Sequence, residues 1–152
     1  MSAAPPDLRN KALRLLSQRE HSRAELRRKL SGGDAAAETV EALLDDFEAR
    51  GWQSDRRFAV AYVDAHLGRY GRYRLEQALR ERGIDAATIA EALEQRDPDA
   101  GDELQRAQAL WRKKFGRPPA DAQERARQAR FLQSRGFGFE IIRRVIAGLD
   151  DE

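Results

Sequence analysis

Arginine and tyrosine alternate in one short stretch, Arg69-Tyr70-Gly71-Arg72-Tyr73-Arg74. Guanidinium groups can hold phosphate or carboxylate in bidentate fashion, and tyrosine rings can stack on bases. The glycine marks a helix start, where backbone N–H groups add positive potential. Cations at that end oppose the helix dipole, at roughly 0.3–1 kcal/mol each. A binding role is therefore expected over a purely structural one. Tyr70 is expected to pack and Tyr73 to be the freer ring. A second cluster is Arg112-Lys113-Lys114 with Arg117; a third holds Arg125, Arg127, Arg130, Arg135, Arg143 and Arg144. Arg127 and Arg130 are one helical turn apart and share a face. The candidate contact residues for nucleic acid or a carboxylate-bearing partner are Arg69, Arg72, Tyr73, Arg74, Arg112, Lys113, Lys114, Arg127, Arg130, Arg135, Arg143 and Arg144.

Catalysis finds little support. Cysteine is absent and there are two histidines, so thiolate chemistry is excluded and imidazole chemistry is sparse. His21 occupies a position filled by rings elsewhere in the chain and reads as a packing residue. His66 lies near Asp64 without metal-ligand spacing. Asp45-Asp46 and Asp150-Asp151 are adjacent on helices, where side chains diverge by about 100°. No zinc-protease, phosphate-loop or nucleophile-elbow motif occurs. The expectation is a non-enzyme with no cofactor and no metal.

The elements that must position these cations follow from a phrase written three times. Ser22–Leu30 reads S-R-A-E-L-R-R-K-L, Gly71–Leu79 reads G-R-Y-R-L-E-Q-A-L, and Gly138–Ile146 reads G-F-E-I-I-R-R-V-I. A small residue opens each, aliphatics follow four and eight positions later, and a ring precedes it: His21, Tyr70, Phe137. This is a helix-start pattern, with a cap and a hydrophobic staple. Ser22 and Glu25 complete a capping box. Val40, Leu43, Leu44 and Phe47 mark a third helix, and Phe58, Ala61, Tyr62 and Ala65 the face of a fourth. Asp85 caps a helix carrying Ile89 and Leu93. Later helices carry Leu104, Ala107, Trp111 and Phe115; then Ala122, Ala126, Ala129 and Leu132; then Ile142, Val145, Ile146 and Leu149. No stretch shows sustained period-two alternation, so no strand is predicted.

The resulting fold class is all-α, with three tandem three-helix repeats in an elongated, curved array. The predicted layout is a disordered tail over 1–7, then repeats over 8–53, 54–97 and 98–149 in one continuous domain. The turn Asp97-Pro-Asp-Ala-Gly101 is the predicted boundary before the third repeat.

The chain has 152 residues, 36% of them charged, with a formal net charge of +2. That small sum hides blocks: residues 9–30 carry eight basic and two acidic residues, 34–55 one and seven, 84–103 one and seven, and 104–149 eleven and three. The blocks suggest a basic and an acidic face, each meeting its own partner. The N-terminus resembles no signal peptide, and no apolar run approaches the ~18 residues of a membrane span. A cytoplasmic protein without a membrane partner is expected.

Three runs together resemble the RecX family of recombinase regulators. Gly51-Trp52-Gln-Ser-Asp55-Arg-Arg-Phe58-Ala59-Val-Ala-Tyr62-Val63 resembles that family's G-hydrophobic-x-D-D-x-x-F-A-x-x-Y-V. Gly71-Arg-Tyr-Arg-Leu75-Glu-Gln-Ala-Leu79-Arg-Glu-Arg-Gly83-Ile84 resembles G-x-x-x-I-x-x-E-L-x-x-K-G-I. Phe131-Leu132-Gln-Ser-Arg135-Gly136-Phe137-Gly138-Phe139-Glu140-Ile-Ile142 is similar to F-L-x-R-R-G-F-S-x-E-x-I. Ser54 replaces the first Asp of the first motif, and Gly32-Gly33-Asp34 lacks an apolar staple, so a looser entry to the third helix is expected. The resemblance implies three three-helix repeats, no active site, and binding along the groove of the RecA recombinase filament. It further implies suppression of strand exchange and of the filament's ATP hydrolysis. The partners expected are the RecA filament and single- and double-stranded DNA, bound weakly or within the filament, by a monomer. The competing reading is a stand-alone helical DNA-binding regulator with helix-turn-helix-like repeats.

Overall fold

The computed structural model describes residues 5–96 and 98–147. Leu149, Asp97 and Asp150-Asp151 of the sequence reading lie outside them. The described residues form nine α-helices and one short 3-10 turn, and no strand. The helices are α1 Pro6–Gln18, α2 Arg23–Leu30, α3 Ala37–Ala49, α4 Asp55–His66, α5 Arg72–Glu81, α6 Ala86–Glu94, α7 Glu103–Lys114, α8 Ala122–Ser134 and α9 Phe139–Ala147.

Local chemistry sets most of the starts. Pro6 sits in the first turn of α1, where its missing N–H costs nothing. The helix therefore takes in Pro6 and Asp7, which the sequence reading placed in a disordered tail. Ser22 and Glu25 form the expected capping box on α2. Asp85 Oδ1 accepts from Thr88 N at 2.7 Å, as expected for the α6 cap. Asp102 with Gln105 builds a second capping box, on α7. Ala36, the N-cap of α3, makes no side-chain cap hydrogen bond, and Ala35 before it packs against the core of this unit.

By packing, the chain divides into two compact units. The first comprises the chain to Ala61 with Leu79–Ala92; the second comprises Tyr62–Ala78 with the chain from Leu93 onward. The first has a core of Ala12, Leu26, Leu30, Val40, Leu43, Leu44 and Phe47. The second has Ala107, Trp111, Leu132, Phe137, Ile142, Val145 and Ile146. Each large aliphatic or aromatic side chain so buried contributes roughly 1.5–3 kcal/mol.

Two faces differ from the sequence reading. In α4 the buried residues are Phe58, Ala59 and Val63, with Leu67 just beyond, while Ala61 and Ala65 are exposed. In α8, Ala122 and Ala126 are exposed, and the buried pair is Gln128 and Leu132. Alanine is small enough to sit on either side of a helix, so its spacing marks a face weakly.

Candidate binding surface

All twelve candidate residues belong to the second unit. The Arg69–Arg74 turn leads into α5, and its donors are already used. Gly71 N–H donates to Arg135 O at 2.7 Å, and Tyr73 N–H donates to Gly136 O at 3.1 Å. Arg72 N–H donates to Glu103 Oε1 at 3.1 Å. The first turn of α5 thus meets a carboxylate and two carbonyls of its own unit. It is not an open phosphate cradle, which corrects the reading of its N–H groups as free positive potential. A side chain at Gly71 would place its Cβ 2.7 Å from Gly136 O, so glycine is required for the two turns to close.

The side chains of this turn are also engaged. Arg74 Nη1 donates to Ser134 O at 2.9 Å, and its guanidinium lies 4.2 Å from the Tyr70 ring centroid. Arg72 Nε donates to Glu76 at 2.7 Å, and that carboxylate raises the guanidinium pKa. Arg69 lies 5.8 Å from the Tyr70 ring. Tyr70 is half-buried, with His66 stacked on it at 5.6 Å. Tyr73 is 63% exposed, as expected of the freer ring.

Two polar residues, missed by apolar periodicity, hold this region. Arg106 is buried, 8% exposed, and its Nη1 donates to Leu67 O at 3.0 Å and Tyr70 O at 2.8 Å. Burial lowers its pKa, and its Nε has no hydrogen-bond partner among the described residues. Gln128 is 1% exposed; its Oε1 accepts from Trp111 Nε1 at 2.8 Å, and its Nε2 donates to Arg117 O at 3.1 Å. The loop after α7 is thereby tied by its carbonyl to a buried amide. A polar residue inside an apolar stripe was the available signal for Gln128.

That loop walls a polar groove of about 640 Å³ between α7 and α8, which gathers Lys114, Arg117, Arg127 and Arg130 together with Asp121 and Glu124. Asp121 caps α8 by accepting from Glu124 N, and Glu124 pairs with Arg127 at 3.4 Å. Arg127 lies over Phe115, and Lys114 and Arg135 both lie over Phe131. Phe131 and Phe115 meet edge to face at 5.4 Å. Arg143 pairs with Glu140 at 2.9 Å and, with Tyr73, lines a different groove on the α9 side of α8. Arg112, Lys113 and Arg144 are exposed and line neither groove. The twelve therefore divide into Lys114, Arg127, Arg130 and Arg135 clustered at α7 and α8, one turn occupied by its own unit, and the outlying cations Arg112, Lys113, Arg143 and Arg144.

The first unit disposes of its charges differently. Arg23 is a hub whose guanidinium reaches Glu41, Asp45 and Glu48 at 2.9, 2.6 and 2.6 Å. Burial opposes its charge, but these three carboxylates outweigh it and raise its pKa. Arg27 also pairs with Glu41, holding that carboxyl down at about 2. Arg9 and Arg50 both pair with Asp46. Four carboxylates of the 34–55 acidic block are thus met by arginines of their own unit. These pairings offset part of the charge of the acidic face read from the 34–55 block, while Asp45 and Glu48 stay exposed. Asp55 caps α2 from a distance, Oδ1 accepting from Arg23 N at 2.8 Å and Gln53 Nε2 at 2.9 Å. Ser54 Oγ meanwhile accepts from Arg57 N in α4. His21 is 1% exposed; its Nδ1–H faces Arg19 O at 3.0 Å, and its Nε2 accepts from Lys29 at 3.1 Å. It is a satisfied core ring, as expected.

Among the described residues no group of three or more His, Asp or Glu side chains is placed to hold a metal ion. None of their helices is long and apolar enough to cross a membrane.

The described residues thus define an all-α chain of three-helix repeats with a predominantly basic groove on α7 and α8. Its sequence matches the first, second and third three-helix domains of RecX at residues 9–47, 54–93 and 101–146. It is 47% identical over 147 residues to "Regulatory protein RecX" of Ralstonia pickettii (strain 12J), covering 97% of this chain and 91% of that one. It is 45% identical over 152 residues to the protein of the same name from Chromobacterium violaceum, covering 100% and 97%. A crystal structure of RecX from Lactobacillus salivarius shares the fold, with a TM-score of 0.81, 22% identity and 96% of each chain covered. The chain belongs to the RecX family, whose curated members named here are regulatory proteins.

Proposed function

We propose that this chain regulates a RecA-type recombinase by binding the recombinase–DNA filament along its groove, inhibiting strand exchange and ATP hydrolysis. Membership of a family of regulatory proteins over nearly the whole chain is the observation that carries this reading. The basic groove of α7 and α8 supports it physically. Lys114, Arg117, Arg127 and Arg130 gather on one wall-and-floor built around buried Gln128, suited to a phosphodiester backbone. Arg72 and Arg74 are assigned a structural share in the second unit instead, because their partners are carboxylate and carbonyl groups of that unit.

The deciding experiment is the ATPase rate of the cognate recombinase on single-stranded DNA, titrated with this chain. Inhibition is expected well below one chain per recombinase subunit. An Arg117→Ala/Arg127→Ala/Arg130→Ala variant should require several-fold more protein for the same effect. No inhibition at excess chain, where the filament forms, would overturn the filament reading. Salt-sensitive DNA affinity in the absence of recombinase would then favour the stand-alone DNA-binding regulator.

A further inference from the structure

The other flank of α8 carries a concavity of opposite character. Arg125, Ala129 and Gln133 recur every fourth residue along α8, and Phe139, Ile142, Arg143 and Ile146 follow helical spacing along α9. These two stripes line a groove of about 610 Å³. Phe139, 77% exposed, and Tyr73 are the two most exposed large hydrophobics among the described residues, and both line it. Tyr73 is held there by its N–H to Gly136 O and by close packing of its ring on Gly138. No single stretch of the sequence carries this surface, because its parts come from two helices and a distant turn.

The charged residues lining the groove are Arg125 and Arg143, with no carboxylate among them. Glu140 offsets Arg143 from one turn away. A second copy offering the same groove would bring no carboxylate from its lining to meet these arginines. A nucleic-acid strand would find two rings to stack on in Tyr73 and Phe139, but its phosphates and base edges would lie unpaired along Ala129, Ile142 and Ile146. An apolar groove between two helices with basic edges instead fits an amphipathic helix with carboxylates beside its apolar stripe. We propose that the α8–α9 groove docks a protein segment of this kind, apolar residues at helical spacing flanked by Asp or Glu. The proposal goes beyond the filament reading and does not depend on which protein is regulated.

The test uses the full chain and a fluorescein-labelled helical peptide, with Leu along one stripe and Glu on its flanks, read by anisotropy. Control peptides replace every flanking Glu by Lys, or every Leu by Ser. The Glu/Leu peptide is expected to bind at least about tenfold tighter than either control. Phe139→Ala, at an exposed site, should weaken binding about tenfold with helicity and melting unchanged. Arg125→Glu should shift preference toward the Lys peptide. Failure of the Glu/Leu peptide to bind, equal binding of the Glu and Lys peptides, or indifference to Phe139→Ala would each overturn the proposal. So would displacement of the peptide by oligo-dT, or a concentration-dependent dimer abolished by Phe139→Ala. The ATPase titration of the wild-type chain is unaffected by these outcomes, so the two readings fail separately.

Discussion

The two compact units start a helix from the same sequence phrase and satisfy it in different ways. At α2, Ser22 Oγ accepts from Glu25 N at 3.0 Å, Glu25 Oε1 accepts from Ser22 N, and Ser22 Oγ also donates to Arg82 O at 2.8 Å. At α5, Gly71 has no side chain, and the backbone of the 135–136 turn takes its place. Each start also abuts a positive-φ glycine of another turn in its own unit. A Cβ on Gly83 would fall 2.5 Å from Ala24 Cβ, and one on Gly136 would fall 2.4 Å from Arg74 Cβ. A helix start docked on a glycine turn is thus the repeated tertiary contact. Charge diverges in the same way. Arg23 of the first unit reaches acids 18, 22 and 25 residues away, whereas Arg72, Arg127 and Arg143 of the second pair one helical turn away. Exceptions include Arg74 and Arg106 in the second unit, which reach carbonyls 60 and 36–39 residues away, and Arg50 in the first, which pairs one turn away with Asp46.

The largest expected effect comes from breaking the docked turn of the second unit. Gly136→Ala combines a φ of +94° with a clash against the Arg74 backbone N at 2.6 Å. It should cost roughly 2–4 kcal/mol in urea unfolding. A loss under 1 kcal/mol would mean the turns do not meet as closely as described.

Exchanging the caps sharpens the comparison. Ser22→Ala removes a cap and a buried bond to Arg82 O, and should cost about 1–2 kcal/mol. Gly71→Ser introduces a residue that caps better in isolation, yet it should also destabilise, because its Cβ meets Gly136 O and Phe137. Stabilisation by Gly71→Ser would show that the local rule outweighs the docking.

Acid should separate the units next. Burial lowers the His21 pKa, outweighing the hydrogen bond to the Arg19 carbonyl that raises it, and the charges of Arg19 and Lys29 lower it further. A histidine depressed in the folded state favours unfolding once protonated, so stability falls as pH drops below the ordinary value of about 6.5. Burial alone would raise the Glu25 carboxyl, but Arg19 and the Ser22 N–H outweigh it and hold it low. Its contribution is present above about 4.3 and is lost as pH falls from there through its folded value. Amide exchange should therefore show Leu26 losing protection on acidification before Leu132, and Glu25→Gln should remove the lower step. Equal loss at both leucines would break the contrast.

The smallest effect is expected from Arg72→Ala, which removes one exposed pair with Glu76 and should cost no more than about 0.5 kcal/mol. It should change filament inhibition less than Arg130→Ala, an exposed cation of the basic groove.

The helices were legible because their signals are local. Ser22 with Glu25, Asp85 with Thr88, and the Leu26–Leu30 and Val40–Phe47 stripes act within one or two turns of their own chain. The family resemblance, carried by short motifs in order, was legible for the same reason, and so was His21 as a packing ring. The candidate binding surface was legible only as composition. That the Arg69–Arg74 turn is closed by Arg135 O, Gly136 O and Glu103 depends on contacts across about 30 to 65 residues, which no periodicity encodes. The same holds for Arg106 beneath Tyr70, and for the apolar groove assembled from α8, α9 and Tyr73. The sequence by itself determined the all-α repeats, their caps and the basic third of the chain. Tertiary structure alone decided which cations are neutralised and which face outward, because a charge's partner is set by three-dimensional distance rather than by its place along the chain.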